Sequence, residues 1–482
     1  MIYNSVSTPD KDINNKKSIK KNSFFSFLTT SLRVIANFFL FWTIARFYGP
    51  EIFGQFTYAF TVITIFLYLA DFGLDILLTT DLPRDLSQLN IIFNELLTIK
   101  LIFICISSSL LFVYAFIVNI SNAVFQLLVI LNIYLIATSF LNYLFAFFRA
   151  LEKLEIETKI TFIYNLFVII TVSLLYIFKF EVVYLAFSLV FFRLIALFLA
   201  FQWSLKYIDK IRIKIKFGLL KKYKSKVSIF GTHYIFNYLY YNIDTVLLAY
   251  LTGEKSVGIF QAAFKLLVIL LIIPEIINNA LLPALSRLNN EDILIWEKYS
   301  SLLNKILMII IFPATILVYA NAHSIIDIVY ANSQYNYSAV ILKYYVLIIA
   351  IRFMIEPLGL LLTTSNKQHV RAYTVLFVTI ISIIMNILLI QKYGVIGVVL
   401  TGLVSNSIIL ITYIFFSYNI CKKWYFNYKN VHFLLSIILF AITIVFIKSI
   451  FAHIFLYLIY LTVFGYFIFL TSEEKALISA YK

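Results

Sequence analysis

The chain has 482 residues, 62% of them hydrophobic and 13% charged, with a formal net charge of +16 and a mean hydropathy of +0.95. That apolar density excludes a soluble core. The apolar runs do not alternate every second residue, which excludes an outer-membrane barrel. They recur in lengths of about 20, enough to cross ~30 Å of hydrocarbon, so the sequence reads as an all-α, polytopic membrane protein.

Residues 1–22 are polar and Lys-rich, with neither a short apolar region nor a cleavage site, and read as a cytosolic tail. Fourteen spans are expected after it, at 24–45, 52–77, 91–118, 123–147, 156–178, 182–205, 227–251, 256–283, 300–320, 338–362, 371–390, 395–418, 431–451 and 454–470. Segments 76–90 and 284–299 read as amphipathic cytoplasmic connectors. An even number of spans puts both termini on one side, and Lys and Arg choose it. One set of loops holds the tail, Arg84, Arg149, Lys153, Lys159, Arg287, Lys298, Lys367, Arg371, Lys422, Lys423, Lys429 and the segment 206–226, which has nine basic residues against Asp209. The opposite loops offer only Arg46, Lys179, Lys255, Lys392 and Lys448. Both termini are therefore expected in the cytoplasm. Most of the positive excess is topological, with membrane lipid headgroups as its partners and no nucleic acid. The basic segment 206–226 is read as a cytoplasmic linker between an N-lobe, 23–205, and a C-lobe, 227–418, with spans 13 and 14 appended in 419–482.

The lobes carry a repeat. Ala45, Gly49, Gly54, Phe56, Ala59 and Phe60 return 204 positions later as Ala249, Gly253, Gly258, Phe260, Ala263 and Phe264, and Asp71 falls on Glu275. Spans 1 and 7 both enter from the cytoplasm. The repeat is therefore parallel, a transporter plan that places the site where the repeats meet.

Turning each helix by about 100° per residue gathers polar residues onto shared faces. Span 1 aligns Ser26, Thr30, Arg33 and Asn37. Span 7 aligns His233, Asn237, Tyr240, Tyr241 and Asp244. Span 2 aligns Thr57, Thr61, Thr64, Tyr68, Asp71 and Asp75. Charges at membrane depth cost about 3 kcal/mol each by insertion scales, and persist only when paired or wet. Arg33 and Arg352 are expected near mid-span, Lys265 somewhat outside it, and Asp71 and Glu275 toward the cytoplasmic ends. This pattern predicts a wet cavity with cations around its middle and acids at its inner mouth. Arg33, Lys265 and Arg352 are the candidate cationic, substrate-binding residues. Asn37, Asn237, Tyr240 and Tyr241 are its polar and aromatic lining, and Asp71, Asp244, Glu275 and Glu356 are candidate coupling or gating acids. Other readings stay open. Arg352 and Glu356, four apart, can neutralise each other. Lys100, Arg193 and Lys305 can snorkel to headgroups. Tyr240 and Tyr241 can be ordinary packing or can stack on sugar rings.

Cys105 and Cys421 stand singly, the five histidines form no ligand spacing, and neither GxxxxGK[ST] nor GxGxxG occurs. No metal, cofactor or nucleotide engine is expected. An enzyme such as a membrane polymerase or O-acyltransferase would need a catalytic residue set that the chain lacks.

The stretch ARFYGPEIFGQFTYAF, then DFGLD, then Pro83-Arg84-Asp85, with YGVIGVVL at Tyr393–Leu400, resembles the Wzx-type O-antigen flippases. These lie in the polysaccharide branch of the multidrug/oligosaccharidyl-lipid/polysaccharide (MOP) exporter superfamily. The resemblance implies a V-shaped, two-lobed, MATE-like bundle in the bacterial inner membrane. It implies movement of undecaprenyl-pyrophosphate-linked oligosaccharide from the cytoplasmic to the periplasmic leaflet by alternating access, with lumen cations, Arg33 first, taking part. A polysaccharide polymerase and a chain-length regulator are the expected protein partners. The alternatives are a cation-coupled multidrug exporter of the same fold and a lipid II-type flippase. The first often uses an Asp in span 1, where this chain has Arg33; the second carries several arginines in spans 1 and 2. The substrate's chemistry agrees: a pyrophosphate diester carries about two negative charges, so an inside-negative potential favours its outward movement by roughly 2.3 kcal/mol per charge per 100 mV.

Overall fold

The structure, a computed structural model, describes residues 9–84, 86–213, 217–274, 276–278, 281, 285, 293–425, 430–447 and 449–475. Among the described residues every regular element is helical and no strand occurs. The α-helices are α1 (Pro9–Asp71), α2 (Leu74–Asp81), α3 (Leu89–Val118), α4 (Asn122–Ala150), α5 (Leu154–Phe178), α6 (Val182–Ser204) and α7 (Phe217–Thr252). They continue as α8 (Glu254–Val268), α9 (Ile293–Tyr330), α10 (Asn336–Thr364), α11 (Gln368–Tyr393), α12 (Val395–Tyr425), α13 (Asn430–Phe446) and α14 (Ile450–Ile459). Among the described residues ten helical stretches are long and apolar enough to cross a membrane, and two shorter ones, His432–Phe446 and Ile450–Gly465, follow. The protein is thus a multi-pass membrane protein. The ten differ from the expected fourteen partly because the first two spans run together as Phe24–Asp71. Half of the connector expected at 284–299 lies outside the described residues, and from Ile293 on it is the start of α9.

The chain forms two compact units, Met1–Tyr48 with Gln55–Asn242, and Gly49–Gly54 with Ile243–Lys482. In the first, α4 packs against α2, α3, α5 and α6. Its run Tyr143–Phe148 is buried throughout, so it is apolar all round where it is central. By contrast α5 and α6 expose Phe162, Phe167, Phe187, Phe191 and Phe198, an aromatic wall that only hydrocarbon can solvate. In the second unit α10 is central, packed on α8, α9 and α12.

The sequence repeat has a conformational counterpart. Gly49 (φ 79, ψ 175) and Gly253 (φ 89, ψ 172) adopt the same backbone geometry, open essentially to glycine alone. At Gly49 it kinks α1, and at Gly253 it separates α7 from α8. One turn on, a side chain on Gly54 would strike the carbonyl of Glu254, and one on Gly258 would strike that of Pro50. Pro50 and Glu254 are themselves 204 positions apart, so the contact is reciprocal. The rings that follow repeat too: Phe56 stacks on Phe60 at 5.9 Å, and Phe260 on Phe264 at 5.6 Å.

The basic linker is stitched down where it is described. Asn90 Nδ2 donates to Asp209 Oδ2 at 2.7 Å while Asn90 Oδ1 accepts from the Asp209 amide at 3.2 Å. Asn94 does the same to backbone alone, donating to the Lys210 carbonyl at 3.0 Å and accepting from the Arg212 amide at 2.8 Å. Glu95 accepts from Lys222 Nζ at 2.6 Å and Tyr223 Oη at 2.8 Å. That hydrogen bond holds the Lys222 ammonium above its usual range, and burial followed by the same carboxylate pushes the Tyr223 phenol up to about 12. At the other end His453 in α14 meets Asn321 in α9 at 2.9 Å, and Lys305 reaches Glu474 at 2.9 Å.

Candidate functional site

Arg33 lies on α1 beside the inner faces of α4 and α5. Its Nη2 donates to Glu157 Oε1 at 2.8 Å. Arg149, at the end of α4, grips the same carboxylate with Nε to Oε2 at 2.7 Å and Nη2 to Oε1 at 2.6 Å. Two guanidinium groups thus share one carboxylate. Glu157 is 5% exposed, but Arg33 keeps 41% of its side chain open. Glu157 sits in the first turn of α5, so Arg33, expected near mid-span, is drawn to the end of the bundle that carries the α4–α5 turn. Phe145 lies beneath it, with Arg33 Cζ 5.7 Å from the ring centre. Beside it a cavity of about 120 Å³ is lined by Arg33, Asn37, Tyr134, Tyr164, Asn165 and Arg193, among others. Asn37 is exposed there.

Arg193, expected to snorkel, instead occupies the midpoint of α6. Its Cζ lies 3.8 Å from the Tyr164 ring centre and 4.7 Å from that of Tyr134, and its Nη2 donates to Tyr134 Oη. A guanidinium tolerates such a site because aromatic faces replace part of its hydration.

Lys100 differs most from its expectation. It is wholly buried rather than snorkelling, and its Nζ donates to Asp71 Oδ1 at 2.6 Å and to Asp75 Oδ1 at 2.9 Å. Ser139 Oγ donates to Asp71 Oδ1 at 2.6 Å and Asn142 Nδ2 to Oδ2 at 3.3 Å. Asp71 itself is 9% exposed, so it sits inside the packing of α1–α4 and not at a wet mouth. The rest of its stripe is also turned inward in part: Thr57 and Thr61 are buried and Tyr68 stacks on Tyr238 at 4.1 Å.

Tyr240 is buried, and Tyr241, at a ring distance of 5.2 Å and edge-on to it, is exposed. The Asn237 side chain and Glu275 lie outside the described residues. In the second unit, Asp244 accepts from the buried Asn386 at 2.6 Å. Arg352 is buried and its Nε donates to Asn406 Oδ1 at 3.2 Å. Glu356 accepts from Asn278 Nδ2 at 2.8 Å. Each of this i, i+4 pair therefore has a partner on a neighbouring element. Lys265 is half-buried on α8.

Sequence reasoning missed Glu157, which accepts a hydrogen bond from Arg33 across 124 positions, and the polar neighbours Asn165 and Tyr164. One signal existed: Arg149 and Glu157 flank the α4–α5 turn at opposite charge.

The model of the family described as "Polysaccharide biosynthesis protein" matches residues 19–289, and that of MatE matches residues 231–388. No curated protein matches the sequence. Among solved structures, a lipid II flippase MurJ in an inward closed conformation aligns with a TM-score of 0.67 at 15% identity, over 92% of this chain and 98% of that one. An inward-facing multidrug resistance MATE transporter of the MOP superfamily aligns with a TM-score of 0.63 at 14% identity, over 82% and 99%. A MOP superfamily transporter from Pyrococcus furiosus aligns at 0.56 and 15% identity, over 84% and 96%. The chain therefore belongs to the polysaccharide biosynthesis protein family and has the fold of the MOP superfamily flippases and transporters.

Proposed function

We propose that the protein flips undecaprenyl-pyrophosphate-linked oligosaccharide, the repeat unit of O-antigen or a related surface polysaccharide, across the bacterial inner membrane by alternating access, with both termini in the cytoplasm. The observation that carries this reading is the family match over 19–289 together with a half-open Arg33 on an otherwise uncharged span. An anionic pyrophosphate needs cationic donors, and arginine supplies them in a planar fork. Arg33 is suited to the task because Glu157 fixes its direction while 41% of the side chain stays open. Lys265 and Arg352 are the corresponding candidates in the second unit. The sugar's hydroxyls need wet or polar surroundings, since burying each without a partner costs a few kcal/mol; Asn37 and the exposed Tyr241 are suited to that. Asp244 and Glu356 are the candidate coupling acids. Asp71, tied to Lys100, is a weaker one, because releasing it from the pair would strand a buried charge. A polysaccharide polymerase and a chain-length regulator are the proposed protein partners.

The test is restoration of surface polysaccharide in a strain lacking its own repeat-unit flippase. The wild-type chain is expected to restore it, Arg33→Ala to lower it at least tenfold at equal protein level, and Arg33→Lys to retain part. Wild-type polysaccharide with Arg33→Ala would remove Arg33 from the substrate path.

A further inference from the structure

We propose that the cavity between α1, α4, α5 and α6 is a binding site for a compact monovalent anion, held by Arg193 and Asn165. Two of its lining residues each bury a donor with nothing to accept it: Nε of Arg193 and Nδ2 of Asn165 have no hydrogen-bond partner. Asn165 is 6% exposed. Both residues line the same cavity of about 120 Å³, together with Tyr134, Tyr164 and Arg33, and no acidic residue lines it. Orphaned buried donors are rare because each forfeits its hydration. Here both are donors, so the missing group is an acceptor.

The charge balance says what kind of acceptor. Glu157 is committed to Arg149 and Arg33. Arg193 is countered by no carboxylate among the described residues; Tyr134 and Tyr164 flank it instead. A water could accept both hydrogen bonds but would leave a full positive charge at the midpoint of a membrane helix, which is costly. An anion satisfies the donors and the charge together. A chloride ion or the carboxylate of an acidic sugar has this chemistry. The site does not depend on the lipid-linked substrate, because anion binding and flipping can each fail with the other intact.

The experiment is chloride-35 line broadening on the purified protein in nanodiscs, with sodium gluconate keeping ionic strength constant and sodium acetate or glucuronate as competitor. The wild type is expected to broaden the line saturably. Asn165→Asp, which puts an acceptor where the donor stood, is expected to abolish the broadening, and Arg193→Gln to weaken binding at least tenfold. Both variants are first shown to melt as the wild type does in gluconate. Should one fail that control, the same comparison is made with Asn165→Leu, which keeps the volume and removes the donor. Displacement by acetate and glucuronate points to a carboxylate as the occupant, and displacement by halides alone to chloride; both uphold the site. No saturable broadening by the wild type, or equal broadening by wild type and Asn165→Asp, would overturn it and leave water as the occupant.

Discussion

Lys100 holds its charge where water is excluded, and the two aspartates beside it are what make that tolerable. Removing one partner of a buried ion pair costs about 3–5 kcal/mol, since the other charge is stranded. Lys100→Met is therefore expected to lower the melting temperature sharply in detergent, whereas Lys100→Met with Asp71→Asn and Asp75→Asn recovers most of it. A single Lys100→Met variant melting like the wild type would contradict the buried triad. None of this grouping was legible as a pair in the sequence, because Lys100 and Asp71 lie 29 positions apart on different helices. What could be read was the constraint: a charge on an apolar span must pair or stay wet. The constraint identified Arg33, Asp71 and Lys100 as residues needing an explanation, and only the packing of α3 and α5 against their neighbours said which explanation each receives. Snorkelling failed for Lys100 and Arg193 for a common reason. Both side chains point into the bundle, where a carboxylate pair or two aromatic faces are nearer than the headgroups.

At the scale of elements, the repeat was the most legible feature, because a fixed offset preserves glycines wherever the backbone geometry excludes a side chain. Gly49→Ala and Gly253→Ala are each expected to cost about 1–3 kcal/mol by forcing a Cβ into a conformation reserved for glycine. Gly218→Ala, in α7 with no neighbour near its Cα, serves as the control and is expected to change stability by less than about 1 kcal/mol, in the favourable direction. Melting curves of the three decide it; equal effects would show that the kink geometry is not required. The grip on the linker was not legible. Asn94 recognises backbone atoms of Lys210 and Arg212, and backbone atoms leave no signature in sequence. The sequence reading of 206–226 as a linker rested on its charge and gave no account of these hydrogen bonds. Replacing Asn90 and Asn94 together by Ala removes the four hydrogen bonds they make to the linker, at about 1 kcal/mol each. Trypsin is expected to cut at Lys210 or Arg212 at least tenfold faster in that variant, by limited proteolysis of protein in nanodiscs. An unchanged rate would mean that the linker is held by other contacts.

For the whole molecule, composition alone placed the chain in a membrane, while the inward charges on α3 and α6, Lys100 and Arg193, were not legible, since both were read as able to snorkel. The substrate was not legible either, since a pyrophosphate and a carboxylate make the same demand on an arginine. The substrate proposed above rests on the family to which residues 19–289 conform. The reading of this chain as a carrier of an anionic, sugar-bearing lipid is tested most directly in proteoliposomes holding a labelled polyprenyl-pyrophosphate oligosaccharide in one leaflet, with a lectin reporting the headgroup that arrives on the other. The account predicts lectin-accessible label that appears only with protein, falls at least tenfold with Arg33→Ala, and rises when the membrane potential draws negative charge toward the lectin side. Extrusion of cationic dyes by the same vesicles, with no movement of the lipid-linked sugar, would contradict it.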